Sequence, residues 1–194
     1  MNEREAWDRR YAEGEYTPRV HPAPFLEEWV DRLPAGRALD VACGTGRNAL
    51  RLAEAGLRVD AVDISAVAIE RAGSEAEERG LELHWTVSDI DEFEILPGVY
   101  QAITVIRYRN RALWPRLIAA LAPGGWVLVE HHVKSSREVS GPQNPEFRLD
   151  PQELLEEFAG LRIVYYAESL EAADDGGRHY ALARMVACKG DPGF

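Results

Sequence analysis

A short apolar run, Ala38-Leu39-Asp40-Val41-Ala42-Cys43, breaks into Gly44-Thr45-Gly46 and passes at once into residues with helical spacing. A buried strand that ends in a glycine turn before a helix opens a βα unit, and such units associate into parallel sheets. The rest of the chain repeats the alternation. Helical spacing over residues 47–55 stops at Gly56, which suits a left-handed cap. A second strand is predicted over 57–63, and Ser65 is placed to cap a long helix through Arg79, ended by Gly80. Strands over 81–87 and 100–106 follow, then a helix from about 111 to 121. The turn Pro123-Gly124-Gly125 leads into a fifth strand over 126–130. Asp150, Pro151 and Glu153 read as the cap, first turn and capping-box partner of a helix ending near 158–160. Two final β-rich runs, 162–167 and 179–189, flank the polar loop 171–178 with no helix between them, so they are expected to pair antiparallel.

This pattern predicts an α/β fold, a doubly wound Rossmann-like sheet, mostly parallel, that closes on an antiparallel C-terminal hairpin. A length of 194 residues is expected to form one domain over 1–194. Residues 1–24 stand outside the alternation; with Trp7, Tyr11 and Tyr16 they read as an arm over the sheet, either a lid or an anchor. Segment 25–30 then reads as an amphipathic helix. With 33 acidic and 22 basic residues the net charge is −11, which argues against nucleic acid or anionic lipid as a partner. No apolar run reaches the ~18 residues of a membrane helix, and two cysteines make no disulfide framework. The opening residues lack the apolar stretch of a signal peptide, so a cytoplasmic monomer or homodimer is expected.

In a parallel sheet, ligands bind at the carboxyl ends of the strands. Glycines there let backbone approach a ligand closely. Asp63, ending the second strand, can accept from both ribose hydroxyls of a nucleoside. Gly44-Thr45-Gly46-Arg47-Asn48-Ala49 also matches a dinucleotide fingerprint. Against that stands Asp40, badly placed beside a pyrophosphate and well placed beside a cationic amino acid. Asp89, after the third strand, offers an acceptor for an adenine amine, with Ile90 packing nearby. Three carboxylates at successive strand ends suit adenosine joined to an amino-acid zwitterion.

Asp40-x-x-Cys43-Gly44-x-Gly46, Val62-Asp63-Ile64-Ser65, Ser88-Asp89 and Pro123-Gly124-Gly125 together resemble the class I S-adenosylmethionine-dependent methyltransferases, over roughly residues 36–133. The resemblance implies seven strands in the order 3-2-1-4-5-7-6 and S-adenosylmethionine as cofactor. It implies Asp40 and the Gly44, Thr45 and Gly46 backbone at the methionine end, Asp63 on the ribose, Ile64 on one adenine face and Asp89 with Ile90 at the adenine rim. Ala42, Asn48 and Ile106 complete the cofactor candidates. Gly46-Arg47-Asn48 and the arm Trp7-Asp8-Arg9-Arg10-Tyr11 are most similar to the small-molecule branch with tellurite and thiopurine methyltransferases. After the fourth strand the chain reads Ile106-Arg107-Tyr108-Arg109, which departs from the Asn/Asp-Pro-Pro-Tyr/Phe signature of enzymes that methylate adenine, cytosine or glutamine nitrogens. No metal is expected, because His131 and His132, adjacent on a strand, point to opposite faces.

Methyl transfer mainly asks for alignment of nucleophile, methyl carbon and sulfur. A base is needed only when the acceptor arrives protonated, so no obligatory catalytic residue is expected. The candidates for contact with the acceptor are Arg107, Tyr108, Arg109, His131, His132, Tyr11 and Tyr16. Residues 107–116 hold four arginines and no acid, an arrangement that a helix N-terminus disfavours. Arg107 or Arg109, with His131 or His132, is therefore expected to attract an anionic acceptor, while Arg111 and Arg116 read as solvated helix start. The acceptor is a small molecule offering oxygen, sulfur or a chalcogen oxyanion. A catalytically silent S-adenosylmethionine-binding regulator is the alternative, and an NAD-dependent oxidoreductase the third reading.

Overall fold

The computed structural model describes residues 2–14, 16, 18–172 and 179–193. Its strands are β1 (Arg37–Val41), β2 (Arg58–Asp63), β3 (His84–Val87), β4 (Tyr100–Ile106), β5 (Leu121–His132), β6 (Arg162–Ala172) and β7 (His179–Cys188). They form one sheet in the order β3-β2-β1-β4-β5-β7-β6. The first five are parallel, and β7 runs antiparallel to both β5 and β6. Both the expected order and the antiparallel closing hairpin are present. Most of the loop expected at 171–178 lies outside the described residues, and β6 continues to Ala172.

The helices are α1 (Glu3–Ala12), α2 (Pro24–Trp29), α3 (Arg47–Glu54), α4 (Ala66–Arg79), α5 (Trp114–Ala120) and α6 (Glu153–Glu157). Alternation along β1 sorts the core into two layers. Ala38 faces a cluster that includes Phe25 of α2, Leu52 of α3 and Ile69 of α4. Leu39 and Val41 face another that includes Trp114 and Leu117 of α5 and Leu154 of α6. Both faces are thus covered, as a parallel sheet requires. Because α3 leaves β1 toward one face and α5 leaves β4 toward the other, a crevice opens between these neighbouring strands.

The local signals mostly hold. The Ser65 hydroxyl accepts from the Ala68 amide, and Gly80 closes α4 at φ +67°. Several boundaries move for physical reasons. The Leu81 amide still bonds back to the Ala76 carbonyl, so β3 starts at His84 rather than residue 81. Arg111–Leu113 form a 3-10 turn, and the regular helix begins only at Trp114, with Pro115 in its first turn. Pro123-Gly124-Gly125 lies inside β5, which begins at Leu121, and the pairing with β4 shifts register there. A side chain on Gly125 would stand 2.6 Å from the Tyr100 carbonyl. Glu153 does reach back to the Asp150 amide at 2.8 Å. Gln152 at φ +65° nevertheless interrupts the expected first turn, and α6 begins at Glu153. No helix among the described residues is long and apolar enough to cross a membrane.

Candidate functional site

A cavity of about 970 Å³ opens at the carboxyl ends of the central strands. It is at the top of the range for sites holding one drug-sized ligand, roughly 300–1,000 Å³, and has room for a nucleoside and a second molecule. Fifteen of the eighteen residues expected at the site line it: Tyr11, Tyr16, Ala42, Gly44, Thr45, Asn48, Asp63, Ile64, Asp89, Ile90, Ile106, Arg107, Tyr108, Arg109 and His131. Asp40, Gly46 and His132 do not.

The β1–β2–β3 side is built around Asp63. Its carboxylate accepts from the Gly44 amide at 2.8 Å and the Ser65 amide at 2.9 Å. Acceptor capacity remains for a ligand, since a carboxylate offers about four acceptor sites. Burial raises its pKa, and the amides of Ser65, Gly44 and Ile64 pull against that. Asp89 is oriented by the Asp91 amide at 3.0 Å, and Ile64, Ile90 and Ile106 supply apolar wall. Asn48 is also in the wall, but its amide oxygen is occupied by the Ala23 amide at 2.9 Å.

Two expectations on this side are corrected. Asp40 pairs across the sheet with Thr104, whose hydroxyl donates to Oδ1 at 2.6 Å, and it lies behind the glycine turn at 1% exposure. Its Oδ2 is buried with no hydrogen-bond partner among the described residues. Burial pushes its pKa up to about 7, against the Thr104 hydroxyl, the Arg47 charge and the Ala49 amide. Gly46 serves packing, because a Cβ there would stand 2.7 Å from the Trp85 ring and 2.9 Å from Ala72. Gly44 is the glycine at the cavity, and a Cβ on it would meet the Tyr11 hydroxyl at 2.9 Å.

The β4–β5 side sorts the expected arginine–histidine pairs. Arg107, at φ +64°, donates from Nε to the buried Glu130 at 2.9 Å and from Nη1 to His132 Nε2 at 2.8 Å. Glu130 is also held by Arg184 at 2.6 Å. The charge of Arg107 is therefore spent inside the fold. His132 has turned away from the cavity, under Gly141 and against the Tyr180 ring. Burial and the Arg107 charge lower its pKa to about 2, so it carries no charge for an anion. Arg109 and His131 remain in the wall. Arg109 Nη1 donates to the Glu146 carbonyl, and His131 Nε2 stands 2.8 Å from the Phe147 carbonyl. Burial is the main cause that lowers the His131 pKa to about 4. Arg111 pairs with Glu153 and Asp150, and Arg116 with the carbonyls of Ile90 and Phe93, so both are structural. Burial raises the Tyr108 pKa to about 12 and keeps its phenol protonated.

The arm closes the third side. Trp7, Tyr11 and Tyr16 form a ring cluster with centroids 5.4–5.9 Å apart, in which Tyr16 stands edge-on to the other two. Asp8 accepts from the Ser65 hydroxyl at 2.6 Å, which ties α1 to the start of α4. The wall also contains Arg10, Arg19 and Arg47, which the sequence did not single out. Arg47 had a signal, being a cation in the first turn of a helix. Arg19 had none, since its bond to the Tyr180 hydroxyl spans 161 residues.

Comparison with known proteins shows what this chain is similar to. Residues 38–125 match the family model described as a methyltransferase domain. Over that stretch the chain is similar to methyltransferase domains. Over 131 residues it is 30% identical to the ubiquinone biosynthesis O-methyltransferase of Bordetella bronchiseptica, covering 62% of this chain and 53% of that protein. The chain thus spans about half the length of the curated relatives it matches. Among solved structures, TehB from Haemophilus influenzae superposes with a TM-score of 0.74 at 21% identity, over 94% of this chain and 67% of that one. The [4+2]-cyclase SpnF superposes at 0.69 and 20% identity, over 96% and 92%. Such distant likenesses establish the shared fold alone.

Proposed function

We propose that this protein transfers the methyl group of S-adenosylmethionine to a small acceptor, with anionic acceptors favoured. The observation that carries this reading is the division of one cavity: Asp63 and Asp89 line the β2–β3 side, while Arg10, Arg47 and Arg109 line other parts of the wall. The acidic side fits the cofactor. Asp63 has acceptor capacity left for ribose hydroxyls. When bound, S-adenosylmethionine supplies an already activated methyl group, and the protein's task is placement. Gly44 lets the backbone approach closely, and the Trp7, Tyr11 and Tyr16 rings cover the site with surfaces that favour a cation. In this reading the arm that carries Trp7, Tyr11 and Tyr16 is the lid, and the arginines left in the wall draw in anions. The methyltransferase family match and the O-methyltransferase relatives support it.

Calorimetry with S-adenosylhomocysteine and with NAD tests the reading. Binding of the first and not the second is expected, and the reverse would replace it with the oxidoreductase. A turnover screen over thiols, phenols and oxyanions separates an enzyme from a silent binder.

A further inference from the structure

We propose that the acceptor is an amphipathic acid, with its anionic group on Arg47 and its apolar body against Tyr16 and Phe147 at the cavity mouth. This names an acceptor class for the methyl-transfer reading above and rests on that reading.

The cavity wall keeps its acids apart from its exposed rings. Four carboxylates line it: Glu3, Asp63, Asp89 and Asp91. Asp91, Glu3 and Asp89 act together on the Tyr108 phenol, and Asp63 ends the strand that pairs with β3, so the acids gather on the cofactor side. The wall supplied by Tyr16 and Pro18 of the arm, Arg47 of α3, and Pro142 and Phe147 of the loop after β5 contains no acid.

Arg47 is partly buried in that wall. Its one hydrogen bond among the described residues runs from Nη1 to the His21 carbonyl at 3.0 Å, and no carboxylate of those residues forms an ion pair with it. Arg107 and Arg111, by contrast, are paired with Glu130 and Glu153. Burial is the largest cause that lowers the Arg47 pKa and the Arg19 charge is the next, whereas Tyr16, Asp40 and Glu130 act the other way. Arginine keeps its proton in proteins, so this side chain is a partly dehydrated cation.

Tyr16 is 40% exposed and Phe147 60%. Phe147 is displayed by a fixed backbone. Its amide donates to the Asn144 carbonyl at 3.0 Å, and its own carbonyl meets His131 Nε2 at 2.8 Å. The buried Arg148 ties down the same loop through the Pro142 and Ser140 carbonyls. A ring held this way leaves apolar surface in water and needs little ordering when a ligand covers it. Scattered apolar side chains are ordinary on a surface, but these two come from segments far apart in the chain and line one cavity.

An inorganic oxyanion would answer Arg47 and leave both rings wet. A neutral apolar acceptor would cover the rings and leave Arg47 without a counter-charge. A carboxylate or similar acid on an apolar body meets both, the acid through the parallel N–H groups of the guanidinium.

The test uses the full chain loaded with S-adenosylhomocysteine, with 2-naphthoate and octanoate as probes and acetate and 2-naphthamide as controls. At least one probe should bind about 10-fold tighter than acetate by calorimetry, and 2-naphthoate against octanoate tells a flat body from a chain. The acid should also bind about 10-fold tighter than its amide, the scale of one hydrogen bond to a charged group. Phe147→Ser should weaken the better probe about 10-fold and leave acetate and S-adenosylhomocysteine unchanged. Arg47→Gln should erase the preference for acid over amide, and Arg47→Lys, which keeps the charge, should restore most of it. That preference is a ratio within one variant, so a partly unfolded sample does not mimic its loss. Probes that bind no better than acetate, a Phe147→Ser variant that binds them unchanged, or an acid preference that survives Arg47→Gln overturns the proposal. Failure to bind S-adenosylhomocysteine at all would instead sink the methyl-transfer reading.

Discussion

The two sides of the cavity are built by opposite means. On the β1–β3 side, the Asp63 carboxylate is held by the amides of Gly44 and Ser65, so backbone within 20 residues makes the geometry. On the β4–β5 side, Arg107, Glu130, Arg184 and Glu171 form an ion-paired chain from strands far apart in sequence. The first side depends on dihedral angles and the second on buried charge. Damage should therefore look different on each.

The largest effect is expected from Glu130→Ala. It strands Arg107 inside the fold, leaves Arg184 to Glu171 alone, and should cost about 3–5 kcal/mol in denaturant titration. A loss under 1 kcal/mol would show that the arginine side stands without its ion pairs. Next comes Asp63→Ala, which should weaken S-adenosylhomocysteine about 100-fold by calorimetry, the scale of one or two charged hydrogen bonds. Unchanged affinity would break the assignment of that side to the cofactor.

The pH response should separate the sides by sign. The pKa of Asp40 is raised to about 7, so its contribution to stability is complete below the unfolded value near 3.8 and is lost as pH rises toward 7. The pKa of His131 is lowered from 6.5 to about 4, so its contribution is present above 6.5 and is lost as pH falls toward 4. Melting curves should show Asp40→Asn gaining on the wild type from pH 4 to 7, and His131→Gln gaining from pH 6.5 down to 4. Gains of the same sign would end the contrast. A smaller effect belongs to the arm, where Asp8→Ala removes the bond to the Ser65 hydroxyl and should cost about 1 kcal/mol. The smallest concerns Ala42, at φ +52° in the turn after β1. Ala42→Gly relieves a left-handed strain of about 1–2 kcal/mol against an unfolded-state cost of about 0.4–1, for a net gain of roughly 0.5–1 kcal/mol in thermal melting.

Legibility followed the same division. Ser65, Gly80 and the run into Gly44 could be read because caps and turns act over a few residues. Their neighbours misled where geometry was shared with a distant element. Gly46 looked like a ligand contact and is a packing contact with Trp85 and Ala72, and Asp40 turned to Thr104 of β4. Around residues 107–116 the absence of local acids suggested spare positive charge. Glu130, Glu153 and Asp150 supply the missing partners from farther along the chain.

By itself the sequence determined the alternation of strands and helices, the closing hairpin and the acid that ends β2, since period and capping are local properties. Only the tertiary structure decided that Arg107 and His132 satisfy one another while Arg109 and His131 keep buried atoms with no hydrogen-bond partner among the described residues. Whether a buried charge is paired depends on what folds against it, and that partner can come from any distance along the chain.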